Sequence, residues 1–142
     1  MVFLFSDLND CNISSNIVSG NLQGIYLSNS SRNTIFNNNA SDNQNYNGIL
    51  LRTSNKNSNN NEMYLNKFRN NANNAYSTEY TNVWNSTYEI TYTYNGNTYT
   101  NYTGTDGNGE GLDDSPYRID SDKDEHPLMV PRENYLTALF RT

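Results

Sequence analysis

The sequence holds little of what most small domains build a core from. Hydrophobic residues fill 34% of its 142 positions and mean hydropathy is −0.90, which excludes an oil-rich interior. One cysteine, Cys11, rules out an internal disulfide. With no histidine near it in sequence, Cys11 reads as a small residue tolerated in a strand or turn, not as a nucleophile. Basic residues number 9 against 15 acidic, for a net charge of −6. A nucleic-acid partner would therefore lack its main source of affinity, attraction to the phosphate backbone. No apolar run approaches the roughly 18 residues a membrane span needs. The opening MVFLFSDLND has an apolar patch but neither a basic region nor a small-residue cleavage pattern, so it makes a poor signal peptide. The expectation is that the chain is not exported by a signal of its own, or that its true beginning lies upstream.

Asparagine and tyrosine are what is plentiful, at 29 and 12 residues. Tyrosine covers surface while keeping a polar tip in water, and aromatic enrichment favours strands over helices. The asparagines are periodic. Aligning NISSNIVSGNLQGIYL (12–27) with TIFNNNASDNQNYNGILL (34–51) sets Ile13 against Ile35, Asn16 against Asn38, Val18 against Ala40 and Asn21 against Asn43. It also sets Gly24 against Gly48, Ile25 against Ile49 and Leu27 against Leu51. Met63, Asn66, Phe68 and Asn71 continue the columns downstream, and Phe3 and Phe5 fall in the Ile25 and Leu27 columns upstream.

A unit of about 22 to 24 residues, made of short alternating stretches broken by Asn, Gly and Ser, has strands too short for hairpins. Stacked coil on coil, each strand pairs with its counterpart about 4.8 Å away. The aliphatic columns then fill a narrow interior and the asparagines bond amide to amide at the bends. A leucine-rich repeat has a similar period, but its L-x-x-L-x-L pattern is missing.

These repeats, from Val2 to about Tyr76, resemble the right-handed parallel β-helix repeats of NosD-like proteins, also described as periplasmic copper-binding or CASH-type domains. The likeness is greatest to the Asn-rich surface versions of methanogenic archaea. The tail, from VWNSTYEITYTYNGNTYTNYTG through DGNGEGLDDSPYRID to HPLM, is similar to the segment that closes those helices. It lacks their G-N-Y-W-S-D-Y stretch between Tyr102 and Thr103, and Glu110 and Asp113 replace an Asp and a Gly. The resemblance implies an all-β, right-handed parallel β-helix of three to four coils over residues 2–80. A capping segment over 81–142 would comprise a hairpin at 87–102 and an acidic Gly/Asp loop at 104–126. It also implies an extracellular or cell-surface location.

Within the tail, Asn95-Gly96 is a hairpin turn signal. Pairing outward from it sets Tyr92 opposite Tyr99, and with Trp84 these rings would cover the open sheet edge or offer a platform for sugar rings. Asp106, Asn108, Glu110 and Asp114 are spaced like the first half of a calcium loop, with Asp120, Asp122 and Asp124 as further oxygen donors. The twelfth-position Glu of an EF-hand would fall at Tyr117, so the loop is not one. His126 is the single histidine and Met129 follows it. One imidazole makes a weak copper site, and HPLM is expected to pack Leu128 and Met129 back on the helix body.

Glycoside hydrolysis needs two carboxylates within about 10 Å. The repeats offer Asp7, Asp10, Asp42 and Glu62, but Asp10 stacks near Arg32, and Asp42 near Gly20 and Asn70. The expected function is a non-catalytic cell-surface or secreted module that binds carbohydrate or packs against a partner protein. The rivals are a partial carbohydrate-active enzyme whose catalytic coils are missing and a copper-handling accessory protein of the NosD type. Val2 begins inside a repeat with no capping helix, so a longer parent protein or self-association through the first coil is expected.

Overall fold

The computed structural model describes residues 2–53, 58–78, 81–87, 96–109, 112, 114–120 and 122–129, and among them there is no helix. Ten short strands make the body: β1 (Phe3–Ser6), β2 (Asn12–Ser14), β3 (Ile17–Ser19), β4 (Ile25–Ser28), β5 (Thr34–Phe36), β6 (Asn39–Ser41), β7 (Asn47–Arg52), β8 (Glu62–Tyr64), β9 (Lys67–Arg69) and β10 (Asn73–Ser77). β11 (Thr98–Tyr99), β12 (Tyr117–Ile119) and β13 (Asp122–Asp124) follow. Three sheets result, ordered β1-β4-β7-β10, β3-β6-β9-β11 and β2-β5-β8, and every pair within them is parallel. This is the arrangement of a parallel β-helix. Each strand hydrogen-bonds to the strand one repeat away, which is how segments of three residues persist without hairpins.

Register follows the sequence columns. Phe3, Ile25, Ile49 and Ala75 stack in one inner column and Phe5, Leu27, Leu51 and Ser77 in the next. Ile13, Ile35 and Met63 form a third, and Val18, Ala40, Phe68 and Tyr99 a fourth. Most of these side chains are fully buried, each contributing roughly 1.5–3 kcal/mol for the larger apolar ones.

The bends explain the asparagines. At each corner one residue takes a left-handed conformation and the next carries the ladder. Asp10, Arg32 and Asn60 precede Cys11, Asn33 and Asn61; Ser15, Asn37 and Leu65 precede Asn16, Asn38 and Asn66; Gly20, Asp42 and Asn70 precede Asn21, Asn43 and Asn71. The left-handed turn aims both backbone N–H and side-chain amide at the next coil. Asn38 thus donates N–H and Nδ2–H to Oδ1 of Asn66 at 2.9 and 3.0 Å, and its second Nδ2 hydrogen to the Ile13 carbonyl at 2.8 Å. Asn33 treats Asn61 the same way, and Asn43 treats Asn71. Asn33, Asn38, Asn43, Asn61 and Asn66 are buried, and Asn33, Asn38 and Asn43 are satisfied by their neighbours above and below.

The columns run on past residue 80. Asn82 receives the ladder donors of Asn61 at 3.0 Å, and Val83 bridges Glu62 in parallel. Asn97 receives those of Asn66, and Thr98–Tyr99 pairs in parallel with Lys67–Phe68. Tyr99 therefore belongs to a further rung of the helix. The strand expected opposite it, with Tyr92 and Asn95, lies outside the described residues. A different hairpin closes this end: β12 and β13 pair antiparallel, setting Tyr117 against Asp124 and Ile119 against Asp122.

Candidate functional site

Strand alternation puts one residue out for each one in. On the sheet β1-β4-β7-β10 the outward residues in register are Leu4, Tyr26, Leu50 and Tyr76. Leu4 is 60% and Tyr76 38% exposed, and the neighbouring Leu22 and Tyr46 are 60% and 58% exposed. A solvent-facing column so rich in apolar groups stands out on a chain this polar.

Three shallow concavities adjoin along it. The first, about 420 Å³, lies among Val2, Leu4, Leu22, Tyr26 and Leu50. The second, about 410 Å³, shares Tyr46, Leu50 and Arg52 with the first and reaches Tyr76. A third of about 430 Å³ shares Asn73 and Tyr76 with the second and ends at Tyr117, Arg118 and Asp120 of the closing hairpin. Together they make one track along the helix axis, apolar at the β1 end and amide-lined at the other. Asp120 is the single carboxylate among its described lining residues. Within the third concavity Asn101 Oδ1 accepts from Asn74 Nδ2 at 2.6 Å and from the Tyr117 hydroxyl at 3.0 Å. Burial pushes the Tyr117 phenol up from its ordinary range.

The expected sugar platform is placed differently. Trp84 is fully buried, with its Nε1–H donated to Asp122 at 3.1 Å. Tyr99 is buried between Phe68 and Tyr117, its ring centroid 3.7 Å from that of Tyr117, and its hydroxyl donates to Asp124 at 3.0 Å. Burial first, then the Asp124 carboxyl, drives the Tyr99 phenol well above its ordinary range. Neither ring presents a face to solvent, because each stands two residues after a ladder asparagine and so points inward, as Val18 and Phe68 do. That Asn-x-apolar spacing, in Asn82-x-Trp84 and Asn97-x-Tyr99, is the signal that could have placed them.

The acidic tail divides in two. Asp106 Oδ1 accepts from Gly109 N–H at 2.7 Å and Asp114 Oδ2 from Gly107 N–H at 3.0 Å, so these carboxylates brace their own loop. Asn108 is exposed beside them and Glu110 lies outside the described residues. Among the described residues no group of three His, Cys, Asp or Glu side chains converges. Asp122 and Asp124 are not spare oxygen donors. Asp122 takes Trp84, and Asp124, wholly buried, takes Asn97 N–H and Nδ2–H at 2.7 and 3.2 Å, the Tyr99 hydroxyl, and His126 N–H at 3.0 Å. Burial pushes the Asp124 carboxyl up to about 7, against the pull of those donors. Leu128 packs inward as expected, joining Tyr64, Leu65 and Leu112, whereas Met129 is only half-buried.

In the repeats, Asp10 does stack on Arg32, at 2.6 Å. The Arg32 hydrogen bond holds the Asp10 carboxyl below its usual range. Asp42 Oδ1 accepts from Asn70 at 3.2 Å. No helix among the described residues is long and apolar enough to cross a membrane. No curated protein and no solved structure matches the chain. The profile of one family, described as periplasmic copper-binding protein (NosD), matches residues 2–108. With stacked parallel strands, in-register columns and three-quarters of its length under that profile, the chain belongs to the NosD family.

Proposed function

We propose that the chain is a non-catalytic β-helix module of a cell-surface or secreted protein and that the track over β1, β4, β7 and β10 holds a carbohydrate chain. The observation that carries this reading is the outward column Leu4, Tyr26, Leu50, Tyr76. Sugar rings have apolar faces that stack on aromatic side chains and hydroxyls that bond to amides, and the track offers tyrosines at its centre and Asn73, Asn74 and Asn101 at one end. Tyr26 and Tyr76 stand two rungs apart, roughly 10 Å at ~4.8 Å per rung, a spacing that suits every second unit of an extended chain. A net charge of −6 favours an uncharged glycan over an acidic one. With Asp120 as the one carboxylate among the described residues of the track, those residues assemble no pair of the kind glycoside hydrolysis requires.

The test is an array of neutral and acidic polysaccharides with analysis of products, on the intact chain and on Tyr26→Ala and Tyr76→Ala. Retention of a neutral glycan without shortened products, weakened by either substitution, is expected. Released oligosaccharides would favour the partial enzyme, and a face that captures protein but no glycan would end the carbohydrate reading.

The family's description names copper, and these residues do not fit a copper site. Copper favours clustered His, Cys and Met. The chain has one His, one Cys and three Met. Cys11 sits on the rung of β2, its Sγ donating to the Asn9 carbonyl, while Met63 is sealed in the interior and His126 adjoins the far end of the stack.

A further inference from the structure

Two of the corner ladders end in different places. The one through Asn38, Asn66 and Asn97 runs into the buried Asp124. The one through Asn43 and Asn71 runs out to the surface. Asn71 Oδ1 takes the N–H and Nδ2–H of Asn43, and its own two Nδ2 hydrogens go to the Ala40 carbonyl at 2.8 Å and to Asn74 Oδ1 at 3.3 Å. With its oxygen so engaged, the buried Asn74 turns Nδ2 onward and donates to Asn101 Oδ1 at 2.6 Å. The Tyr117 hydroxyl donates to the same oxygen at 3.0 Å, which fills both acceptor positions of that carbonyl. The relay therefore fixes which way Asn101 faces. Its Nδ2 hydrogens have no partner among the described residues, and the residue is exposed on the wall of the third concavity.

We infer, resting on the carbohydrate reading of the track, that Asn101 is a locked hydrogen-bond donor that reads an acetamido substituent, and that the glycan held there is built of N-acetylated, uncharged sugars. An ordinary surface amide swings to offer oxygen or nitrogen as a ligand demands, whereas Asn101 offers two hydrogens and no acceptor. A sugar hydroxyl meets Asn101 with half its capacity, because its own hydrogen finds no oxygen on that amide. An acetamido carbonyl only accepts, and a donor already held in place spares the cost of ordering it. The rest of the group is provided for. Asn73, an exposed amide with no side-chain partner among the described residues, can take its N–H, and Ala72 and Tyr76 supply apolar contact for its methyl, all three lining the same concavity. A carboxylate would also accept from Asn101, and Arg118 lines the concavity, but Asp120 lines it too, and the net charge of −6 opposes an acidic chain.

The test is a binding titration of the intact chain with three oligomers of equal length, made of N-acetylglucosamine, of glucose in the same linkage, and of galacturonic acid. The N-acetylated oligomer is expected to bind about tenfold more tightly than the glucose oligomer, the worth of one well-placed hydrogen bond. Asn101→Asp, which sets oxygen against oxygen, should erase that preference, and Tyr117→Phe, which releases one side of the clamp, should narrow it. Tyr26 lies away from the third concavity, so Tyr26→Ala should weaken both neutral oligomers alike. Equal binding of the two neutral oligomers, or a preference that survives Asn101→Asp, overturns the inference and leaves the carbohydrate reading in place. Tightest binding of the galacturonic acid oligomer overturns it in favour of Arg118. Binding of none of the three overturns it as well, and the polysaccharide array then decides whether the carbohydrate reading survives. Should Asn101→Asp alter the far-ultraviolet spectrum, Tyr117→Phe decides: a narrowed preference supports the locked donor, and an unchanged one refutes it.

Discussion

Asn66 gives both its backbone N–H and its Nδ2–H to a single oxygen of Asn97, at 3.1 and 2.9 Å, while its own oxygen takes the same pair from Asn38. Its second Nδ2 hydrogen reaches the Ile35 carbonyl at 2.8 Å. Asn66→Ala would leave several buried groups unpaired and should cost about 3 kcal/mol by urea denaturation. Asn66→Asp should cost more at neutral pH, because a carboxylate would face the Ile35 carbonyl and the Asn97 oxygen with nothing to donate. An aspartate better tolerated than alanine would contradict the donor direction.

Stability should depend on pH through Asp124. Its carboxyl is raised in the folded chain from 3.8 to about 7, so the folded state binds the extra proton. The resulting stabilisation is fully present below about pH 4 and is lost as pH rises through about 7. The loss approaches ~4 kcal/mol at 1.36 kcal/mol per pH unit. Urea midpoints at a series of pH values should decline over that window, and Asp124→Asn should flatten the decline.

Arg32 takes a left-handed conformation with φ of 58° while bonding Asp10 across the surface, where both side chains are more than half exposed. The ion pair is worth little in that setting, and the backbone conformation costs roughly 1–2 kcal/mol for a residue with a long side chain. Arg32→Asn should therefore raise stability by about 1 kcal/mol although it breaks the pair. A lower thermal midpoint would show that the pair outweighs the turn.

A methyl group at Gly96 would overlap Asp124 Oδ1 and lie 2.5 Å from the His126 carbonyl. Gly96→Ala should cost about 3 kcal/mol and unseat the hairpin. At Gly20 the same change meets open space, and the φ of 66° sets its cost at about 1 kcal/mol. Equal losses at the two sites would argue against the close approach of β13 to Gly96.

The stacked body was legible in the sequence because stacking forces one column to repeat one kind of residue. Ile13 above Ile35, and Ile25 above Ile49, needed only alignment, and both pairs are in register. The closing end was not. Ten residues lie between Asn85 and Gly96 and break the period, and Asn95-Gly96 signals a turn, so the sequence points Tyr99 to a hairpin although it continues the column of Phe68. Asp122 and Asp124 look solvated in an acidic tail. Nothing in their spacing shows that Trp84 and Asn97 offer donors there. The outward column of Leu4, Tyr26, Leu50 and Tyr76 is present in the aligned strands, but its mixed leucines and tyrosines repeat less plainly than the inward aliphatics.

Since the corner amides from Asn16 through Asn38 and Asn66 to Asn97 give a backbone N–H and one Nδ2–H to the next oxygen in one sense, the solenoid has a lay, as a rope does. A turn could be inserted anywhere between Asn16 and Asn97 and would meet acceptors ahead of it and donors behind. Reversing a single turn would set amino group against amino group. The ladder accordingly sets how one turn joins the next and leaves the number of turns unset.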